Sequence, residues 1–174
     1  MSSSWILGCM VITLSCLATA FSCLEALTAD SGVSLTISKV ALPIEPGDKP
    51  FCITLREDAR LMAFQMNRPG GYGKLDIWFS RFENNGWSKP YNAGAAINTS
   101  ANEADVKLSA DGSTLVFVRS DDFQKSSQLY VSQFRSGSWT KAEMIGPPVS
   151  LPSTVEFGTV LSKEGLLQIE WVIL

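Results

Sequence analysis

The segment Arg68-Pro-Gly-Gly-Tyr72-Gly73 puts a cation, an aromatic ring and three glycines into six residues, a composition suited to a loop that touches a ligand. Neither Lys-Ser/Thr nor a helical pattern follows it, so it lacks both parts of a phosphate-binding loop. Arg68 and Tyr72 are the candidate ligand contacts here. Asp76 is a third, and it is also placed to fasten the glycine loop by accepting backbone N–H groups. Arg119, Asp121 and Asp122 complete the candidate binding set. Glu103, Asp105 and the Asp121-Asp122 pair offer oxygen ligands for a hard cation, but the alternating acids and glycine of a calcium loop are missing. Solvated loop charges are therefore expected, and no metal. A carboxylate pair for glycoside hydrolysis can be nominated from Asp76, Glu103 and Asp105. The chain has no histidine, which removes Ser-His-Asp and Cys-His relays and the usual zinc ligand sets. No catalytic residue and no cofactor is expected.

Three of the four cysteines, Cys9, Cys16 and Cys23, lie near the N-terminus, leaving Cys52 alone in the body of the chain. Cys52 sits in the apolar alternation Phe51-Cys-Ile-Thr-Leu55, where a small buried hydrophobe is expected. A formal net charge of -3 with no basic run gives nothing to neutralise a phosphate backbone, so nucleic acid is not an expected partner.

Trp5 to Leu24 is apolar or small, with no charged side chain until Glu25. Such a run reads as an export signal in an apolar leader helix: a cleaved signal peptide over 1–29, a retained membrane anchor, or a lipoprotein signal at Cys23, which Phe21 fits poorly. The expected location is periplasmic or extracellular, with membrane contact only through this segment. Residues 30–50 read as a strand and linker, Val33 to Leu42 alternating apolar and polar before Pro43, Pro46, Gly47, Asp48 and Pro50 break the pattern.

The elements that must position the candidate residues repeat. Leu55 to Phe64 aligns with Leu108 to Phe117 at an offset of 53, Asp76 to Phe82 with Gln128 to Phe134 at 52, and Gly86-Trp87 with Ser138-Trp139 at 52. A further copy opens at Leu161-Ser-Lys-Glu-Gly165. Asp58 and Asp111-Gly112 fall at the same turn, where an Asp carboxylate and a residue of positive φ favour a hairpin. Trp87 and Trp139 recur in step and are expected to pack between modules. Short antiparallel strands at a period near 52, with no helical spacing after the leader, predict an all-β chain of four-stranded propeller blades over 51–174, at about 51–103, 104–155 and an incomplete 156–174. Two to three blades do not close a ring alone. The expectation is a truncated propeller or one completed by other chains, with self-association through an open sheet edge.

Arg68 to Ser80, Gly86-Trp-Ser-Lys-Pro90, Ile97-Asn-Thr99 with Glu103, and Leu108-Ser-Ala-Asp-Gly-Ser-Thr-Leu-Val-Phe117 together resemble the WD-like β-propeller repeat of TolB-like bacterial envelope proteins. The likeness covers about residues 51 to 165; Ala110 stands where that repeat usually has Pro, and Arg56, Glu57 and Ala59 depart from it in the first copy. The resemblance implies an exported noncatalytic scaffold that binds a protein or cell-envelope glycan through its blade loops. The alternative is the propeller portion of a larger hydrolase, a peptidase or glycosidase, whose catalytic part lies outside this chain. The Ser-Ala-Asp-Gly-Ser-Thr-Leu string is also similar to the aspartate box of sialidases, but its spacing fails at Gly112 and Leu115.

Overall fold

The computed structural model describes residues 41–151, 154–162 and 167–173, and they form antiparallel sheets without a helix. Cys23, the leader, the strand expected to begin at Val33 and the glycine at Gly165 lie outside the described residues. The first sheet holds β1 (Phe51–Leu55), β2 (Leu61–Met66), β3 (Asp76–Glu83), β4 (Gly86–Trp87) and β5 (Tyr91–Asn92). The second holds β6 (Asn102–Leu108), β7 (Thr114–Asp122), β8 (Ser126–Arg135), β9 (Ser138–Trp139) and β10 (Glu143–Met144). β11 (Val155–Leu161) pairs with β12 (Leu167–Ile173) in a third sheet.

The two larger sheets are copies down to single hydrogen bonds. The outer strand of each module, expected as one piece, is split: β4 and β5 both pair with β3, and β9 and β10 both pair with β8. The break falls where a side-chain hydroxyl substitutes for the ladder. Ser88 Oγ accepts the Arg81 amide at 3.0 Å and Thr140 Oγ1 the Gln133 amide at 3.0 Å. Ser80 and Ser132 hydroxyls meanwhile donate to the Ser88 and Thr140 carbonyls, both at 2.7 Å. The inner strands β1 and β6 each carry a bulge, with positive φ at Cys52 and Asp105, and Gly158 of β11, 53 residues further on, repeats the positive φ within an unbroken register.

Both faces of β2, β3, β6 and β7 are largely buried, and equivalent residues face the same way. Ala63, Ile77 and Phe79 of the first sheet pack against Val106, Leu108, Leu115 and Phe117 of the second. Val116, Val118 and Leu129, on the other face of the second sheet, meet Leu161 of the third. On the far face of the first sheet, Met62, Phe64, Met66 and Trp78 gather with Trp87 and Leu42. The sheets thus stack in sequence, each presenting one face to its predecessor and the other to its successor. The twin tryptophans share local surroundings, Trp87 edge-on to Phe82 at 5.5 Å and Trp139 edge-on to Phe134 at 5.3 Å. Trp139 also stacks on Phe79 across the sheet boundary, centroids 5.5 Å apart and planes 5° from parallel.

The expected burial of Cys52 fails. Cys52 is exposed rather than buried, because alternation fixes which residues share a face but not whether that face is covered. Its sulfur lies beside the Asp105 amide, and desolvation, ahead of the nearby Asp105 charge, raises the thiol's pKa. A thiol so held is a poor nucleophile.

Candidate functional site

The glycine loop is built inward. Asp76 is buried at the start of β3; its carboxylate accepts the Tyr72 amide at 2.5 Å, the Gly73 amide at 3.0 Å and the Asn92 side-chain amide at 2.9 Å. It does fasten the loop, and its oxygens are occupied in doing so. A Cβ on Gly73 would sit 2.1 Å from the Ala101 carbonyl oxygen and 2.5 Å from that of Thr99, so only glycine lets this loop lie against the backbone that leads into β6. Arg68 turns away from the loop tip: it reaches Asp48 at 3.6 Å and Glu45 at 4.0 Å in the linker and lies 5.7 Å over the Trp78 ring. Tyr72 alone of this group stands exposed at the tip.

Of the remaining candidates, Arg119 and Glu103 meet each other. Arg119 donates to Glu103 at 2.8 Å and to the Ile97 carbonyl at 2.6 Å, with its guanidinium 4.1 Å over Tyr130. Glu103 is fully buried, not solvated as expected; Thr99 donates to it through both amide and hydroxyl, at 3.1 and 2.7 Å. Burial raises its pKa against the pull of these donors and Arg119. Glu156, the equivalent residue 53 positions on, is enclosed in the same manner by Ser150, Leu151, Thr154 and the Leu129 amide. Asp105 pairs with Lys107 at 2.6 Å. Asp121 is exposed, and Asp122 caps Gln124 and meets Lys125 at 3.4 Å. Among the described residues no three acidic or cysteine side chains form a cation cluster.

Hollows open among the described residues. One, about 460 Å³, lies between the first and second sheets and is lined by Arg56, Arg60, Arg81, Phe79, Tyr91, Asp111, Phe134 and Trp139. Sequence reading passed over its arginines because none belongs to a motif. Arg56 makes a two-point contact with Asp58, at 2.8 and 2.6 Å, and its stem packs where a Cβ on Gly112 would stand 2.6 Å away. It substitutes in the first copy for Ser109, which donates to Asp111 at 2.6 Å in the second. Both aspartates are pulled down to about 2, Asp58 first by the Arg56 hydrogen bond and Asp111 first by that of Ser109. Arg81 Nε donates to the Tyr91 hydroxyl at 3.0 Å, its guanidinium 5.5 Å over that ring. Trp139 stacks on Phe79 and Tyr91 lies under Arg81, while Tyr91 and Phe134 stay partly exposed, so the cleft offers guanidinium donors beside aromatic surface. The second hollow, about 390 Å³, collects the ends of the three inner strands, where the equivalent residues Leu55, Leu108 and Leu161 converge.

The class defined so far is an all-β chain of antiparallel sheets without a helix among its described residues. No family model matches the chain, and no curated protein matches it. Among solved structures it is similar to TolB from Acinetobacter baumannii, with 16% sequence identity and a TM-score of 0.43 over 68% of this chain. The chain spans 25% of that protein's length.

Proposed function

We propose that this chain is a set of β-propeller blades serving outside the cytoplasm as a noncatalytic scaffold, binding a protein or an envelope glycan through its loops and the cleft between its first two sheets. The convergence of Leu55, Leu108 and Leu161 on one hollow carries the reading, because radially stacked modules bring the ends of their inner strands together about an axis. The head-to-tail order of the sheet faces supports it further. The apolar leader supports export. Arg60 and Arg81 supply the donors of the cleft that make no ion pair among the described residues, and Tyr72 the exposed ring of the loop face.

The test is titration of the full chain with soluble peptidoglycan fragments and with envelope proteins, beside its Arg81→Ala variant. Saturable binding that the variant weakens about tenfold, the loss of roughly 1.4 kcal/mol, supports the reading. Turnover of a glycoside or peptide panel without such binding overturns it.

A further inference from the structure

The repeat separates side chains that the module needs from those it does not. Asp58, Ser80, Phe82 and Trp87 recur 52 or 53 residues on as Asp111, Ser132, Phe134 and Trp139, and each pair makes the same hydrogen bond or ring contact in both copies. Around the cleft between the first two sheets the copies part. Arg56, Arg60, Arg81 and Tyr91 line it, and the second copy has Ser109, Ser113, Gln133 and Glu143 at those positions. The strand register fixes the equivalence, with Tyr91 opposite Phe79 as Glu143 is opposite Val131. Because the second module forms without these side chains, the folding of a module does not account for them.

The four differ in what they have left to offer. Arg56 is engaged by Asp58 at two points. Arg81 is held by its Nε on the Tyr91 hydroxyl at 3.0 Å, 5.5 Å over that ring, which leaves its two Nη groups to meet a ligand as a fork. Arg60 is exposed, lies 5.8 Å over the Phe82 ring and makes no ion pair among the described residues. Against them stand the carboxylates of Glu83 and Asp111, and Asp111 already accepts from Ser109 and Ser113. The unspent groups are thus mainly donors. Sugar hydroxyls ask for donors and acceptors in turn, whereas a carboxylate only accepts. Beside the guanidiniums, Tyr91 and Phe134 are 37% and 39% exposed, and the volume of about 460 Å³ is that of a small-ligand cleft.

We infer that this cleft takes an acidic peptide segment: an Asp or Glu carboxylate of the partner meets Arg81 and Arg60, and an adjoining apolar residue covers Tyr91 and Phe134. The occupant follows from charge complementarity, and the inference rests on the binding reading above, whose partner it narrows to a protein. Tyr91 is a positioning residue, acting through Arg81.

The experiment titrates the full chain with decapeptides that carry Asp or Glu next to Phe, Leu or Trp, and with the same peptides carrying Asn or Gln instead of the acids. The acidic set is expected to bind about tenfold more tightly than the amide set, and Arg81→Gln to remove about that whole advantage. Tyr91→Phe keeps the ring but frees Arg81, and should weaken the acidic set alone by about threefold. Lys125→Gln, a charge change at the exposed turn between β7 and β8, should leave both sets unaltered. Equal binding of the two sets, binding of neither, or an equal loss on Lys125→Gln overturns the inference. Should Arg81→Gln alter the circular dichroism spectrum, Arg60→Gln decides: a loss confined to the acidic set supports the site, and an unchanged preference overturns it. A chain indifferent to the acids that still binds peptidoglycan fragments or envelope proteins overturns the acidic-peptide site while leaving the scaffold reading standing.

Discussion

The Asp105 carboxylate accepts both the amide and the hydroxyl of Thr159, at 3.0 and 3.1 Å, from a residue with a φ of 47° in the bulge of β6. One side chain therefore ties the second sheet to the third. Its position recurs as Cys52 and Gly158, so the positive φ belongs to the module while the tie belongs to this copy. Asp105→Ala loses two hydrogen bonds to a charged acceptor and leaves alanine in a left-handed conformation, a cost of about 2–4 kcal/mol. Asp105→Asn keeps one acceptor and tolerates that backbone, so about half the loss is expected. Urea midpoints of the three proteins check both values.

Gly73 and Gly86 separate close approach from open turn. Alanine at Gly73 meets two carbonyl oxygens, whereas nothing lies within 4 Å of a Cβ at Gly86. Gly73→Ala is expected to destabilise by about 2 kcal/mol or more, through displacement of backbone that cannot yield cheaply, and Gly86→Ala by under about 0.5 kcal/mol. Thermal midpoints of the pair settle the contrast; equal shifts would mean that the loop does not lie against residues 99–101.

Acid acts through carboxylates of opposite sign. Asp58 and Asp111, at about 2 in the fold against an ordinary 3.8, contribute stability that is present above the ordinary value and lost as pH falls from there toward 2. Glu103, raised by burial, works the other way: its protonation favours the fold, so its effect improves as pH falls through its folded value. Asp111→Asn should flatten the acid limb of a urea-midpoint profile. Glu103→Gln should steepen the fall as pH drops from the raised folded value of Glu103 toward its ordinary one, since the compensating gain is gone.

Much of the architecture was legible because its signals are local and repeat. The 52 to 53 offset located both larger sheets, the Asp58 and Asp111 turns and the two tryptophans, and the spacing of Asp76 from the glycine loop foretold its hydrogen bonds. What escaped depends on distant chain. Arg68 looked free at a loop tip, but its partners Glu45 and Asp48 come from a linker some twenty residues upstream. Glu103 read as a solvated charge, and only the fold brings Arg119 and the Thr99 turn around it. The cleft went unseen because Arg56, Arg81 and Tyr91 gather across a sheet and a sheet boundary, with no pattern in the order of the chain.

Stacking of copied sheets through equivalent residues is the claim on which the rest depends, and the Phe79–Trp139 contact across the first boundary tests it most directly. In a double-mutant cycle of Phe79→Leu and Trp139→Leu, followed by urea unfolding, the account predicts a coupling of about 1 kcal/mol between the two rings. Strict additivity of the two substitutions would contradict it.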